Sequence, residues 1–203
     1  MPDTDQRSNL LGLARSSGLV ADTDSDSAPA SHEMYLMQIE TTLGLLGRAL
    51  SMVHSVVIDL PDAHDDLRTI APATILQQVR DMSPGPSGSP GISSAYAHMS
   101  RTELLSALAG GADAVTRRSD AAVLLQGMPT LDNLRLNAFE VRGFEQWESV
   151  NSGDRHFDLA VASRDVVERC GPNGVAVLLD AYGLDLVDPV RLDWYSLALE
   201  LLG

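Results

Sequence analysis

Apolar residues recur every three or four positions from Leu36 onward, and Leu36, Ile39, Leu43, Leu46, Leu50, Val53 and Val57 fall on one stripe. That period predicts a long helix with one buried side, a core helix rather than a coiled-coil strand. The stretch "SPGPSGSPGISS", 83–94, breaks the pattern with Pro, Gly and Ser and predicts a flexible loop between helices. A helix over Arg101–Leu108 follows. Next come a short apolar strand, Val123–Leu125, a polar loop from Gly127 to Asn133, and a second strand from Leu134. "LRLNAFEVRGFEQW" alternates well enough for a tight hairpin.

The remainder reads as helical. "DLAVASRDVVERCG" places Leu159, Ala162, Val166 and Cys170 on one side and stops at Gly171, and "GVAVLLDAYG" ends similarly at Gly183. In "DPVRLDWYSLALELLG", Asp188 suits an N-cap, Pro189 the first turn, and Leu192, Tyr195, Leu199 and Leu202 an apolar face. Helices, hairpins and again helices make an α+β, mainly α, chain with little sheet.

Composition narrows this picture. Of 203 residues 44% are hydrophobic, enough for the core of one domain. The start differs: "ADTDSDSAPAS" offers too little apolar surface to offset the entropy of ordering. Residues 1–33 are therefore expected to be a mobile acidic leader, and 34–203 a folded lobe with a flexible insert at about 83–95. A formal charge of −14 repels phosphate backbones and anionic lipid heads, so nucleic acid and membrane surfaces are poor partners. Cys170 is the single cysteine, no apolar run reaches bilayer length, and "MPDTDQRSNL" is not a secretory signal, which together point to the cytoplasm. All 14 basic residues are arginine.

"VLLQGMPTLDNLRLN", 123–137, has the form of a loop that enters and leaves an active site, yet Met128 stands where an acid would serve. Other chemistry is scarce. His54, His64, His98 and His156 have no metal-ligand spacing, "HEMYLMQIE" holds one histidine, and each is expected at a surface or helix end. "GPNGVAV" is too short for a phosphate-cradling loop, and neither Ser163 nor Ser196 sits in a nucleophile elbow. No metal and no cofactor is expected.

From about 121 to 202 the chain resembles the helical C-terminal lobe of the aminoglycoside phosphotransferases, small-molecule kinases with a protein-kinase-like fold. That family's catalytic loop, His-Gly-Asp followed five residues later by Asn, aligns with Gln126, Gly127, Met128 and Asn133. Its Gly-Phe-Ile-Asp metal segment aligns with Gly143, Phe144, Glu145 and Gln146. "GDRHFDLAVASRD", "AYGL" and "RLDWYSLALEL" resemble its later helices, and "LLGRALSMVHS", 45–55, the helix that leads out of the hinge.

The resemblance implies a lobe with degenerate catalytic motifs. The proton-accepting aspartate is replaced by Met128 and the magnesium-holding aspartate by Gln146, while Asn133 remains as a remnant of cofactor binding. The N-lobe, with its phosphate-pairing lysine, is expected to be absent. Glu145 and Asp132 are not expected to replace the lost acids, and Asp154, Arg155 and Asp158 match a structural charge cluster. Asp165, Glu168 and Glu200 fall where the family's acidic substrate-lining residues lie, although Leu199 replaces one expected acid.

The expected function is an inactive, pseudokinase-like binding or regulatory module. The alternatives are a binder of aminoglycosides or amino sugars, with weak capture of the cation, and a kinase completed by a separate N-lobe. A protein partner or a second copy is expected on the face an N-lobe would cover, on or above Leu125, Met128, Leu131, Leu134, Phe144 and Trp147.

Overall fold

The computed structural model describes residues 32–56, 67–82, 96, 98–118, 120–137 and 139–203. Most of the anticipated leader, the 83–95 insert, Val57 and His64 lie outside the described residues.

Helix α1 (His32–His54) is followed by strand β1 (Thr69–Ile70), helix α2 (Pro72–Asp81) and helix α3 (Arg101–Arg118). Strands β2 (Val123–Leu125), β3 (Leu134–Asn137), β4 (Glu140–Phe144) and β5 (Asn151–Gly153) lead into α4 (Arg155–Cys170), α5 (Asn173–Tyr182), a 3-10 turn (Leu184–Leu186) and α6 (Pro189–Leu202). The α+β, mainly helical class is the one the sequence predicts.

β3 and β4 form the expected hairpin, with Leu134 opposite Phe144 and an irregularity between Arg135 and Leu136. β2 pairs elsewhere. It runs antiparallel to β5, Val123 opposite Gly153, and β5 runs parallel to β1. The catalytic-type loop thus leaves one small sheet and enters another.

Helix α4 lies between two apolar clusters. Leu159, Ala162 and Val166 face Leu43, Leu46 and Leu50 of α1, Leu178 and Tyr182 of α5, and the hairpin's Leu134 and Phe144. Ala160 joins the second cluster, built from Ile75 and Val79 of α2, Leu104 and Leu108 of α3, and Trp194 and Tyr195 of α6. Its ends are set locally. Asp154 caps the first turn by accepting the His156 N–H, and Gly171 takes a φ of 81° at the stop.

Three sequence expectations need correction. The buried stripe of α1 does not include Leu36, which is exposed, but broadens to Leu45 and Ala49 because α5 packs along it. Helix α3 does not end at Leu108 but continues to Arg118 through Gly110 and Gly111. A Cβ at Gly111 would sit 2.8 Å from Trp194 Cδ1, so this glycine admits the α6 tryptophan rather than ending the helix. In α6 the expected Leu192, Leu199 and Leu202 are only half-buried, and Arg191, Trp194, Leu197, Ala198 and Leu201 are buried with Tyr195. That helix touches α4, α3 and α2, so contact extends round most of its circumference. β1 and α2 have no counterpart in the sequence-based expectations; α2 opens on Pro72 and buries Ile75, Leu76 and Val79.

Candidate functional site

The 126–133 loop is held at its entry by one buried carboxylate. Asp158 Oδ2 accepts the Gln126 N–H at 2.7 Å and Oδ1 accepts the Gly127 N–H at 3.0 Å. The same Oδ2 lies 3.2 Å from His54 Nε2, and His54 Nδ1 lies 2.9 Å from the Tyr182 hydroxyl. Gly127 has a φ of 88°, and a Cβ there would be 2.1 Å from Ser149 O. Only glycine lets the loop pass this close to the turn before β5.

Gln126, fully buried, bridges the two segments that the family resemblance pairs. Its Oε1 accepts the Met128 N–H at 2.8 Å and its Nε2 donates to the Gln146 carbonyl at 2.5 Å. Both ends of the amide are satisfied, so this position is a strut. Met128 is 48% exposed. Asn133 is buried and its Nδ2 donates to the Met128 carbonyl at 2.8 Å, so its amide closes the loop across its width. Gln146 is exposed, and Glu145 is paired with Arg135 across the hairpin. Among the described residues no group of three or more His, Cys, Asp or Glu is placed to hold a metal ion.

The far end of the loop is held by α4. Asp165 Oδ2 accepts the Leu131 N–H at 2.8 Å and Oδ1 accepts from Arg169 Nε at 2.7 Å. Arg169 then reaches both carboxylate oxygens of Asp132, Nη1 donating at 2.9 Å. Burial pushes the Arg169 guanidinium's pKa down, and the two carboxylates more than offset this and raise it. Asp132, not expected to replace a lost acid, is an exposed half of this clasp.

An open cleft of about 280 Å³ lies between the loop, α4 and the end of α6. Met128, Asp165, Glu168 and Leu199 line it, so the structure gathers four positions the sequence had singled out. Glu200 is not among its lining residues. Together with burial and Asp193, Glu200 raises the pKa of the Tyr96 phenol, on the α2 and α3 side. The sequence reading missed Phe157, Val161 and Arg164, which line the cleft from α4. Their three- and four-residue spacing with Glu168 marks one helix face, a signal that was available.

His54, the last residue of α1, and His156, in the first turn of α4, sit at helix ends as expected, and both are buried. His156 Nε2 accepts the Asp188 N–H at 2.8 Å, which leaves Nδ1 to donate to Asp154 Oδ1 at 2.8 Å. Asp154 also receives Arg191 Nε at 2.8 Å, and Arg191 reaches Asp120 at 2.8 Å. Burial pushes the Asp154 carboxyl up, but hydrogen bonds from His156 and Arg191 outweigh that and lower it to about 2. Asp154 and Asp158 thus act as the structural charges that the resemblance implies. Of the six residues expected on or beneath an N-lobe-facing surface, Leu125, Leu131, Leu134 and Phe144 are buried, and Met128 and Trp147 are exposed.

No protein-family model matches this chain, and no curated protein matches it. Solved structures do. The aminoglycoside phosphotransferase APH(3'')-Id from Streptomyces rimosus matches with a TM-score of 0.62 and 19% identity, over 80% of this chain and 62% of that one. In complex with ADP and streptomycin, the same enzyme matches with a TM-score of 0.63 and 19% identity, over 100% of this chain and 85% of that one. A choline/ethanolamine kinase family protein from Mesorhizobium loti gives 0.58 at 16% identity, over 97% and 68%. At these identities the likeness is one of fold. The chain has the aminoglycoside-phosphotransferase, kinase-like fold, its described residues form the C-terminal-lobe-like part, and it spans 62% of the first of these structures. Among the described residues no helix is long and apolar enough to cross a membrane.

Proposed function

We propose that this chain is a phosphotransferase-like lobe that binds without transferring phosphate, a binding or regulatory module. Met128 carries the reading. The loop around it is held at both ends, by Asp158 at Gly127 and by Asp165 at Leu131. A thioether nevertheless occupies the position of the general base and cannot accept a proton. Gln146, neutral and exposed, replaces the metal-holding acid, and a neutral amide is a poor ligand for magnesium. Phosphoryl transfer depends on charges in fixed places, and both of these are gone.

The reading that a second chain completes a kinase meets the same two losses. Capture of an aminoglycoside is favoured by Asp165 and Glu168 at the cleft, but both carboxylates already have arginine partners.

The test is incubation of the purified protein with ATP, magnesium and streptomycin, followed by mass spectrometry and a melting curve. No phosphorylated drug is expected, and no rise in Tm with millimolar nucleotide. Ligand at 100 times its Kd would add about 2.7 kcal/mol, a shift of several degrees, and such a shift or any product would overturn the proposal.

A further inference from the structure

We propose that the cleft beside Met128 takes an uncharged, aromatic-ringed small molecule carrying one hydrogen-bonding group, and that it discriminates against polycations. The inference rests on the reading that this site binds without transferring phosphate.

The charges around the cleft are already matched. Asp165 is buried with one carboxylate oxygen on the Leu131 N–H and the other on Arg169 Nε. Glu168 lies 3.4 Å from Arg164 Nε. Among the side chains, Asp132, Asp165 and Glu168 against Arg164 and Arg169 leave one net negative charge (3 − 2 = 1), against the several positive charges of an aminoglycoside. A polycation would have to displace an arginine from Asp165, or rely on exposed Glu168, whose attraction is screened within about 10 Å at 0.1 M salt.

Most other side chains of the wall are apolar. Phe157 and Val161 from α4 face Leu199 and Leu202 from α6, and Met128 closes the loop side. A thioether beside a ring surface is an adaptable contact for an aromatic ligand. Two donors remain to orient it: the Thr130 hydroxyl, and the Arg164 guanidinium, which reaches across to α6 by donating to the Leu199 carbonyl at 3.3 Å. A volume of about 280 Å³ has room for one or two fused rings.

The probes are 2-naphthol, neutral at pH 7, and streptomycin, read by the Met128 methyl resonance of methyl-labelled protein at 0.15 M salt. The inference expects a saturable shift with 2-naphthol that does not change at 0.5 M salt, and none with streptomycin at the same concentration. Val161→Asp should weaken 2-naphthol by at least about tenfold, because it places a charge against the ring. Arg164→Gln, at the exposed rim, should let streptomycin bind by releasing Glu168. Streptomycin moving the Met128 methyl of the unaltered protein below the 2-naphthol concentration would overturn the inference, as would the lack of any saturable 2-naphthol shift. Tight streptomycin binding without phosphorylation would sink this inference alone, whereas phosphorylated streptomycin would sink the non-transferring reading.

Discussion

Gly127 donates its backbone N–H to Asp158 Oδ1 across 3.0 Å, and this bond ties a loop between two sheets to the first turn of the central helix. Asp158 also receives the Gln126 N–H and the His54 ring, so one carboxylate satisfies donors from α1 and from the loop. The loop's shape is thus held by side chains other than that of Met128. This is how the shape persists with Met128 in place.

Asp158→Ala should be among the most damaging single changes in the chain. It strands two backbone donors and a buried histidine, a loss on the order of 3–5 kcal/mol by analogy with broken buried pairs. Urea unfolding measures it. A loss below about 1 kcal/mol would mean that the loop does not depend on this carboxylate.

Gly127→Ala tests the same loop from the backbone side. Alanine at a φ of 88° is strained, and its Cβ would meet Ser149 O at 2.1 Å. The strain alone costs about 1–2 kcal/mol, and displacement of the 147–150 turn adds to it. A drop of several degrees in Tm is expected, and an unchanged Tm would contradict the close approach.

Asp154 gives a pH dependence with a definite sign. Its folded pKa is depressed from 3.8 to about 2, so its contribution is full above the unfolded value and is lost as pH falls from about 4 through 2. The shift corresponds to about 2 kcal/mol. The stability difference between the natural protein and Asp154→Asn should therefore be constant above about pH 5 and shrink between pH 4 and 2. A difference that stays constant down to pH 2 would show that Asp154 titrates normally.

Local signals were legible in the sequence, and long-range ones were not. The caps at Asp188 and Gly171 and the 134–144 hairpin are set by neighbouring residues, and the pattern placed them. The helix-end places of His54 and His156 were legible but their burial was not, because Asp158 and Asp188, which bond their Nε2 atoms, stand 104 and 32 residues away. The burial of Arg191 has no local signal for the same reason, its two carboxylates being supplied by the residue before α4 and the segment before β2. At the site, the apolar–polar–apolar rhythm marked the loop from Gly127 to Asn133. That Asp165 would brace the loop, while Glu200 stayed out of the cleft lining, depends on how α4 and α6 rotate against their neighbours.

The adjacent glycines of α3 should respond with opposite signs. A Cβ at Gly110 meets nothing within 4 Å, so Gly110→Ala gains helix propensity and should stabilise the protein by about 0.5–1 kcal/mol. A Cβ at Gly111 would come within 2.8 Å of Trp194 Cδ1 and 3.3 Å of its Nε1. The indole cannot easily yield, because Nε1 donates to the Leu108 carbonyl at 2.8 Å and the ring stands edge-to-face against Tyr195 at 5.0 Å. Overpacking there should cost about 1–3 kcal/mol, more than the propensity gain returns. Paired melting curves decide it: Gly110→Ala should melt a few degrees higher and Gly111→Ala lower, and a rise in both would mean that α3 and α6 do not pack through Trp194.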